Sequence, residues 1–231
     1  MTGRVWVEPV TLEGTYVRLE PMSLDHLPGL TQVGLDAEIW RWMPMFVQAP
    51  GDMRTLVEEA IAEAEAGTMV PFTTIERATG KPVGSTRYLS IVPQHRRLEI
   101  GWTWLAPAWQ HSPVNTEAKL LMLRHAFEKL GALRVEFKTD ALNEKSRTAL
   151  LKIGAVEEGV FRHHMVMPGG RQRDSAYYSV IEEEWPRVHQ HLEARLTRLV
   201  RAAEQTAPPV ADASEAVEAP ELIEAPGSDR G

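Results

Sequence analysis

Cysteine is missing from this chain of 231 residues. That excludes disulfides, thiolate-bound zinc and any acyl-cysteine intermediate, and it fits a reducing, cytoplasmic location. Long apolar runs are missing as well. No stretch approaches the roughly 20 apolar residues of a membrane-crossing helix, and Met1 to Val10 lacks the apolar centre of a signal peptide. A membrane is therefore not an expected partner. Basic charge is scarce: 25 Lys and Arg stand against 32 Asp and Glu, a net charge of −7. Six acids and one base lie from Gln205 onward, so about −5 of that charge sits at the C-terminal end. The remaining body is near neutral and lacks the basic footprint of a direct nucleic-acid binder. No His or carboxylate spacing has the pattern of a metal site, so no metal is expected.

What remains is the composition of an ordinary globule, 43% hydrophobic and 25% charged. Residues 1–204 read as one domain. Residues 205–231, rich in Ala, Pro and Glu and without aromatics, cannot bury enough surface to order themselves and read as a disordered acidic tail. In the domain, Thr11 to Pro21 reads as a strand, with Val17 and Leu19 alternating against Arg18 and Glu20. Ser23 and Asp36 are caps for two short helices, 24–34 and 36–42, and Asp52 opens a longer one that ends at Gly67. Residues 70–76 and 83–92 form a hairpin around Ala78-Thr79-Gly80-Lys81, and 97–105 is the next strand. A helix follows over 114–130, then a strand over 133–139 and a helix over 144–153. A hairpin of 156–167 and 174–181 and a terminal helix over 182–203 complete the order. The arrangement predicts a mixed α/β domain with helices on both faces of one sheet.

The most informative run is Trp104-Leu105-Ala106-Pro107-Ala108-Trp109-Gln110-His111-Ser112-Pro113-Val114-Asn115-Thr116-Glu117. An apolar strand enters a proline-marked turn and then a long amphipathic helix. The helix N-terminus, with its unpaired N–H groups and positive dipole end, is an anion site for which phosphate is the commonest guest. A phosphate-bearing ligand beside a splayed sheet is the expectation.

Several further segments sharpen it: Leu98-Glu99-Ile100-Gly101-Trp102, Thr116-Glu117-Ala118, Arg134-Val135-Glu136-Phe137, Asn143-Glu144-Lys145-Ser146-Arg147, Ile153-Gly154-Ala155, Glu158-Gly159-Val160 and Arg173-Asp174-Ser175-Ala176-Tyr177-Tyr178-Ser179. In this order they resemble the GNAT superfamily of acyl-CoA N-acyltransferases, in the branch of ribosomal-protein alanine N-acetyltransferases. The resemblance spans roughly residues 11–185. It implies a mixed, mostly antiparallel sheet splayed between its fourth and fifth strands. It also implies acetyl-CoA as acyl donor and a primary amine as acceptor: a protein N-terminus, an amino acid or peptide, or a small amine. A monomer or homodimer is expected.

The pyrophosphate loop departs from the family pattern Arg/Gln-x-x-Gly-x-Gly/Ala. Gln110 keeps the first position, but Pro113 and Asn115 replace the two glycines. Proline has no N–H to offer a phosphate, and neither replacement is as permissive as glycine. In one reading the loop is damaged and cofactor binding is lost. In the other, Ser112 is the N-cap and Pro113 occupies the first helical position, where its missing N–H is no loss. Val114, Asn115 and Thr116 then present N–H groups, assisted by the hydroxyls of Ser112 and Thr116 and by the Asn115 amide. The second reading keeps the helix end intact and is the one adopted here, with His111 as a further phosphate neighbour.

By the same resemblance, backbone groups of Trp102, Thr103, Trp104 and Leu105 would pair with pantetheine like an added strand. Glu99, flanked by apolar Leu98 and Ile100, is the candidate base; burial would raise its pKa into a useful range. Against this stands a plain salt-bridged strand glutamate. Asn143 stands at a cofactor-contact position, and Ser146 where the family protonates the leaving thiolate or holds a water. The alternative is simple capping of the helix by Asp140 or Asn143. Trp40 and Trp42 fall in the segment that lines the acceptor cleft, where they serve either as a flat wall or as core. His163 and His164, adjacent on a strand, are expected on opposite faces; His125 packs on its helix. Asp174 reads as a charge partner of Arg171 and Arg173. The rival to an enzyme is a non-catalytic acyl-CoA-binding module with an altered loop.

Overall fold

In the computed structural model, residues 6–206 are described. Their strands form one eight-stranded sheet, of order β1-β2-β3-β4-β5-β6-β8-β7. The first predicted strand divides at a turn into β1 (Leu12–Glu13) and β2 (Val17–Pro21). β3 (Val70–Glu76) and β4 (Lys81–Val92) make the expected hairpin, and β5 spans Arg97–Leu105 as predicted. β6 (Arg134–Asp140) lies between β5 and β8 (Gln172–Ile181), and β7 (Val156–Val166) is the far edge.

Every neighbouring pair is antiparallel except β5 and β6. Those two pair in parallel over only three residues each, Arg97–Glu99 against Arg134–Glu136. The predicted splay between the fourth and fifth strands is therefore found here. Helices cover both faces. α1 (Leu27–Val33), α2 (Ala37–Trp40) and α3 (Pro50–Glu65) share a core with Met22 and Trp104. α4 (Pro113–Arg124), α5 (Glu144–Lys152) and α6 (Trp185–Thr206) close the larger core, through Met122, Leu123, Leu150, Val188 and Leu192. Among the described residues no helix is long and apolar enough to cross a membrane. The acidic tail expected over 205–231 lies, beyond Thr206, outside the described residues.

Three local details differ from the sequence reading. The third helix starts at Pro50, and Asp52 caps it from inside, accepting from the N–H groups of Gln48 and Ala49 at 2.9 Å each. α4 does not run unbroken to Leu130; it widens into a π-turn over His125–Lys129. The wider turn lets His125 stack on Tyr88 while Phe127 stacks on Trp185, which one 3.6-residue stripe does not provide. In β7 the register slips between Phe161 and Met165, and His163 takes a φ of 48°. Strict alternation fails there, so the opposite-face argument for His163 and His164 does not hold. His164 instead pairs with Ser175 Oγ at 3.1 Å.

One buried carboxylate fastens α4 to the first turn of the sheet. Glu117, 4% exposed, accepts from the backbone N–H groups of Thr15 (2.8 Å), Tyr16 (2.6 Å) and Val17 (2.8 Å). A Cβ on Gly14 would lie 2.4 Å from the Glu117 carboxyl carbon, so glycine is required by the close approach. Removing the carboxylate strands three donors. Glu117→Ala is expected to cost about 3 kcal/mol, a fall in Tm of roughly 6–12 °C in a chain of this size, measured by thermal unfolding.

Candidate active site

Past Glu99 the strands β5 and β6 part, and the edge of β5 facing β6 has no strand partner. A cavity of about 210 Å³ fills the wedge, reached by Glu99, Gly101, Trp102 and Thr103 from β5 and by Asn143 and Ser146 at the start of α5. A larger, more open hollow of about 570 Å³ lies beside Thr15, Arg77, Trp109 and Val114. None of Glu99, Asn143 or Ser146 reaches it, so the wedge is the chemically equipped site.

β5 bends at the wedge. Ser85 pairs with Trp104 but Arg87 pairs with Gly101, so Trp102 and Thr103 together oppose Thr86 alone. This bulge holds Trp102 at a φ of 50° and turns its backbone out of the ladder. The free edge and the bulge suit an extended ligand chain able to pair as an added strand. Trp104 contributes no side chain to the cavity. Its ring lies in the core against Trp40, with centroids 5.4 Å apart.

Glu99 lies 4% exposed on the cavity wall. Burial raises its pKa, while Lys138 Nζ at 3.6 Å and the Ser90 hydroxyl at 3.3 Å pull the other way. Space for the carboxyl depends on Gly101: a Cβ there would sit 2.9 Å from Glu99 Oε1.

Asn143 caps α5, its Oδ1 accepting from the Ser146 N–H at 3.0 Å. Its carboxamide NH2 is left for other partners at the cavity wall. The Ser146 side chain lines the same cavity. Trp42 does too, with the guanidinium groups of Arg41 and Arg171 at 5.2 and 5.6 Å from its ring. Trp40 is a correction: at 1% exposure, its indole N–H given to Gly34 O at 2.7 Å, it is core and not a wall of the cleft. Asp174 is another. Arg171 pairs with Asp140 at 2.5 Å, and Asp174 accepts the His163 N–H.

The loop before α4 has Ser112 at the N-cap and Pro113 at the first helical position. Ser112 Oγ donates to Trp109 O at 2.6 Å and accepts from Val114 N at 3.3 Å. The Val114 N–H is thus already engaged, and no such cap engages those of Asn115 and Thr116. The Thr116 side chain is buried. Gln110 donates to Leu105 O at 2.9 Å and accepts from Lys145, tying the loop to both β5 and α5. His111 sits at a φ of 64°, exposed, in the left-handed region that glycine prefers.

The sequence pattern described as "Acetyltransferase (GNAT) domain" matches residues 17–156. The chain belongs to this family. A GCN5-related N-acetyltransferase from Brucella melitensis superposes with a TM-score of 0.77 at 31% identity, covering 82% of this chain and 86% of that one. A protein from T. thermophilus, described as a "putative acetyltransferase", is 40% identical, with a TM-score of 0.75 over 83% of this chain and 99% of its own. Among curated relatives, the Bacillus subtilis (strain 168) protein named "Putative ribosomal N-acetyltransferase YdaF" is 35% identical over 91 residues. That match covers 39% of this chain and about half (49%) of the relative. Acyl-CoA-dependent acetyl transfer is the chemistry of this GNAT family.

Three buried cations of this GNAT domain are not evident from sequence. Lys119, on α4, is 5% exposed and lines the cavity. Its Nζ donates to Thr103 Oγ1 (2.8 Å) and Thr86 Oγ1 (3.2 Å), with no carboxylate partner among the described residues. Burial lowers its pKa to about 7. Arg87 lies over the Trp102 ring at 4.6 Å; burial lowers its pKa to about 10. Arg173 is 5% exposed on the cavity wall. The only available signal was the position of Lys119 on the apolar stripe of α4.

The Lys119 shift has a definite sign. Unfolded, the amine holds its proton up to about 10.5; folded, it releases it near 7. Stability therefore rises with pH across that window and is lost as pH falls toward 7. Between pH 7 and 9 this contributes up to about 2 kcal/mol. Lys119→Met is expected to flatten the rise in Tm over that range, read by thermal unfolding at a series of pH values.

Proposed function

We propose that the protein moves an acetyl group from acetyl-CoA to a primary amine by direct attack within a ternary complex. The observation that carries this reading is the buried Glu99 carboxylate on the wall of the wedge beside the free edge of β5. The donor supplies an acetyl thioester, whose conversion to an amide takes one proton from the attacking amine and gives one to the departing sulfur. Glu99, its proton affinity raised by burial, accepts the first. Ser146, on the same cavity at the first turn of α5, stands to supply the second. The bulged backbone at Trp102 to Leu105 polarises the carbonyl. The N–H groups of Asn115 and Thr116, with the Asn115 amide, hold the pyrophosphate. The name of YdaF points to a ribosomal amine among the acceptors; a peptide, an amino acid or a small amine are the others.

A non-catalytic acyl-CoA-binding module is the second reading, favoured by one fact: Pro113 has no N–H and Val114 spends its own on Ser112. Calorimetric titration with acetyl-CoA, followed by thiol release over an amine panel, separates the two. Binding with turnover supports the enzyme; binding without turnover supports the module; no binding sinks both.

Glu99→Gln is expected to lower kcat/KM by roughly 10²–10⁴ and to leave acetyl-CoA affinity unchanged. In the parent protein kcat/KM rises with pH through the Glu99 titration, which burial places above the ordinary 4.5. The Gln variant loses that acid limb, whereas Lys119→Met keeps it. Asn115→Asp sets a carboxylate against the pyrophosphate and is expected to weaken acetyl-CoA binding by roughly tenfold or more; unchanged affinity removes this account of the loop.

A further inference from the structure

One face of the sheet around the splay carries a dense set of charges. Glu99 lies opposite Glu136, Glu136 opposite Ser179, Lys138 opposite Tyr177 and Asp140 opposite Ser175. Residues directly opposite one another share a face, and Arg173, two residues from Ser175, continues that row. Four acids on or beside this face are each taken by a cation. Lys138 faces Glu99, Arg97 and Arg134 share Glu136, Arg134 also binds Glu158, and Arg171 holds Asp140.

Of the cations that line the cavity, Arg173 is the one left over. Its guanidinium makes no ion pair or hydrogen bond among the described residues, and its Nε is buried with no partner. A guanidinium removed from water without a partner is costly. Desolvation lowers its pKa, and the nearby charges of Asp140 and Glu99 only partly offset this. The cavity that Arg173 lines holds Lys119 and Lys138 as well, against Glu99 as its one acid. The wedge is thus short of negative charge, while the loop that receives pyrophosphate contributes none of its residues to it.

We propose that Arg173 binds a carboxylate carried by the acceptor, so that the site selects amines with an acid group close by. Glu99 receives the amine end and the Arg173 fork the carboxylate end, in bidentate geometry. The proposal rests on the reading of this wedge as the acceptor site of an N-acetyltransferase. Its ligand chemistry has two sources: the α-carboxylate of a free amino acid, or an acidic side chain near the N-terminus of a peptide.

The test uses the full chain with saturating acetyl-CoA and matched acceptors. L-alanine is set against L-alaninamide, and the peptide amide Ala-Asp-Ala-Ala against Ala-Asn-Ala-Ala. The carboxylate member of at least one pair is expected to have kcat/KM higher by roughly tenfold or more; which pair does so names the source. In Arg173→Gln that preference falls to near unity, mainly through KM, with the Kd for CoA unchanged. Arg173→Lys, which keeps the charge without the fork, retains part of it. A parallel calorimetric titration of the CoA-loaded protein with N-acetyl-L-alanine and its amide, and with the two N-acetylated peptides, needs no turnover. Carboxylate-selective binding that Arg173→Gln abolishes supports the carboxylate site even if no amine is acetylated, the result that would sink the enzymatic reading alone. Equal use and equal binding of both members of each pair overturns the proposal. So does a preference that survives in Arg173→Gln, or a weakened Kd for CoA, which would give Arg173 to the donor.

Discussion

The candidate active-site wedge depends on how little β5 and β6 hold together. Three parallel pairs join the strands at Arg97–Glu99 and Arg134–Glu136, and nothing joins them beyond. Had the ladder continued, those amides of Ile100 to Leu105 that do not face β4 would be spent on β6 and the cavity would be closed. The separation leaves backbone donors and acceptors unpaired where they are expensive to leave unpaired. A ligand chain able to pair with them has its place set by the protein before it arrives. The bulge at Trp102 adds to this by turning the strand at the point where the gap opens.

Around that gap the protein gathers groups that burial disfavours. Glu99 is offset by Lys138 and Ser90, Lys119 is held by two threonine hydroxyls, and Arg173 has no partner among the described residues. Each lowers stability relative to an apolar residue of the same shape. The larger core under α4 and α6, built on Met122, Leu123, Val188 and Leu192, supplies the burial that offsets them. Core and cavity are built on the same elements: Ile100, Phe137 and Leu150 belong to both.

Much of this was legible in the sequence. Alternation in Val17 to Glu20 and the continuous run Leu98 to Leu105 identified strands, and the Ser112-Pro113 pair identified a helix start, because these signals are local. The splay came from resemblance, since no local signal encodes where two strands part. The wedge residues fared unevenly. Glu99 and Ser146 do meet at one cavity, but Trp40, in a segment read as cleft wall, is core because its indole finds Gly34 and its face finds Trp104. Lys119 was illegible: a lysine on an apolar helical stripe looks like a snorkelling side chain until Thr86 and Thr103 arrive from two strands. The slip in β7 was illegible too, because His163 is not a residue type that announces positive φ as glycine does.

The Glu117 clamp has a consequence for how the molecule assembles. It joins backbone amides of Thr15 to Val17 to a carboxylate about 100 residues later in the chain, a high-separation contact whose closure entropy has to be met before it stabilises anything. Seating α4 on the first turn of the sheet therefore requires both ends of that long loop to be present. A nascent chain that has emerged only as far as β5 lacks α4 and its carboxylate, and one whose first turn is displaced has the helix without its anchor. The seat of the loop before α4 is thus a measure of how completely the chain has closed on itself.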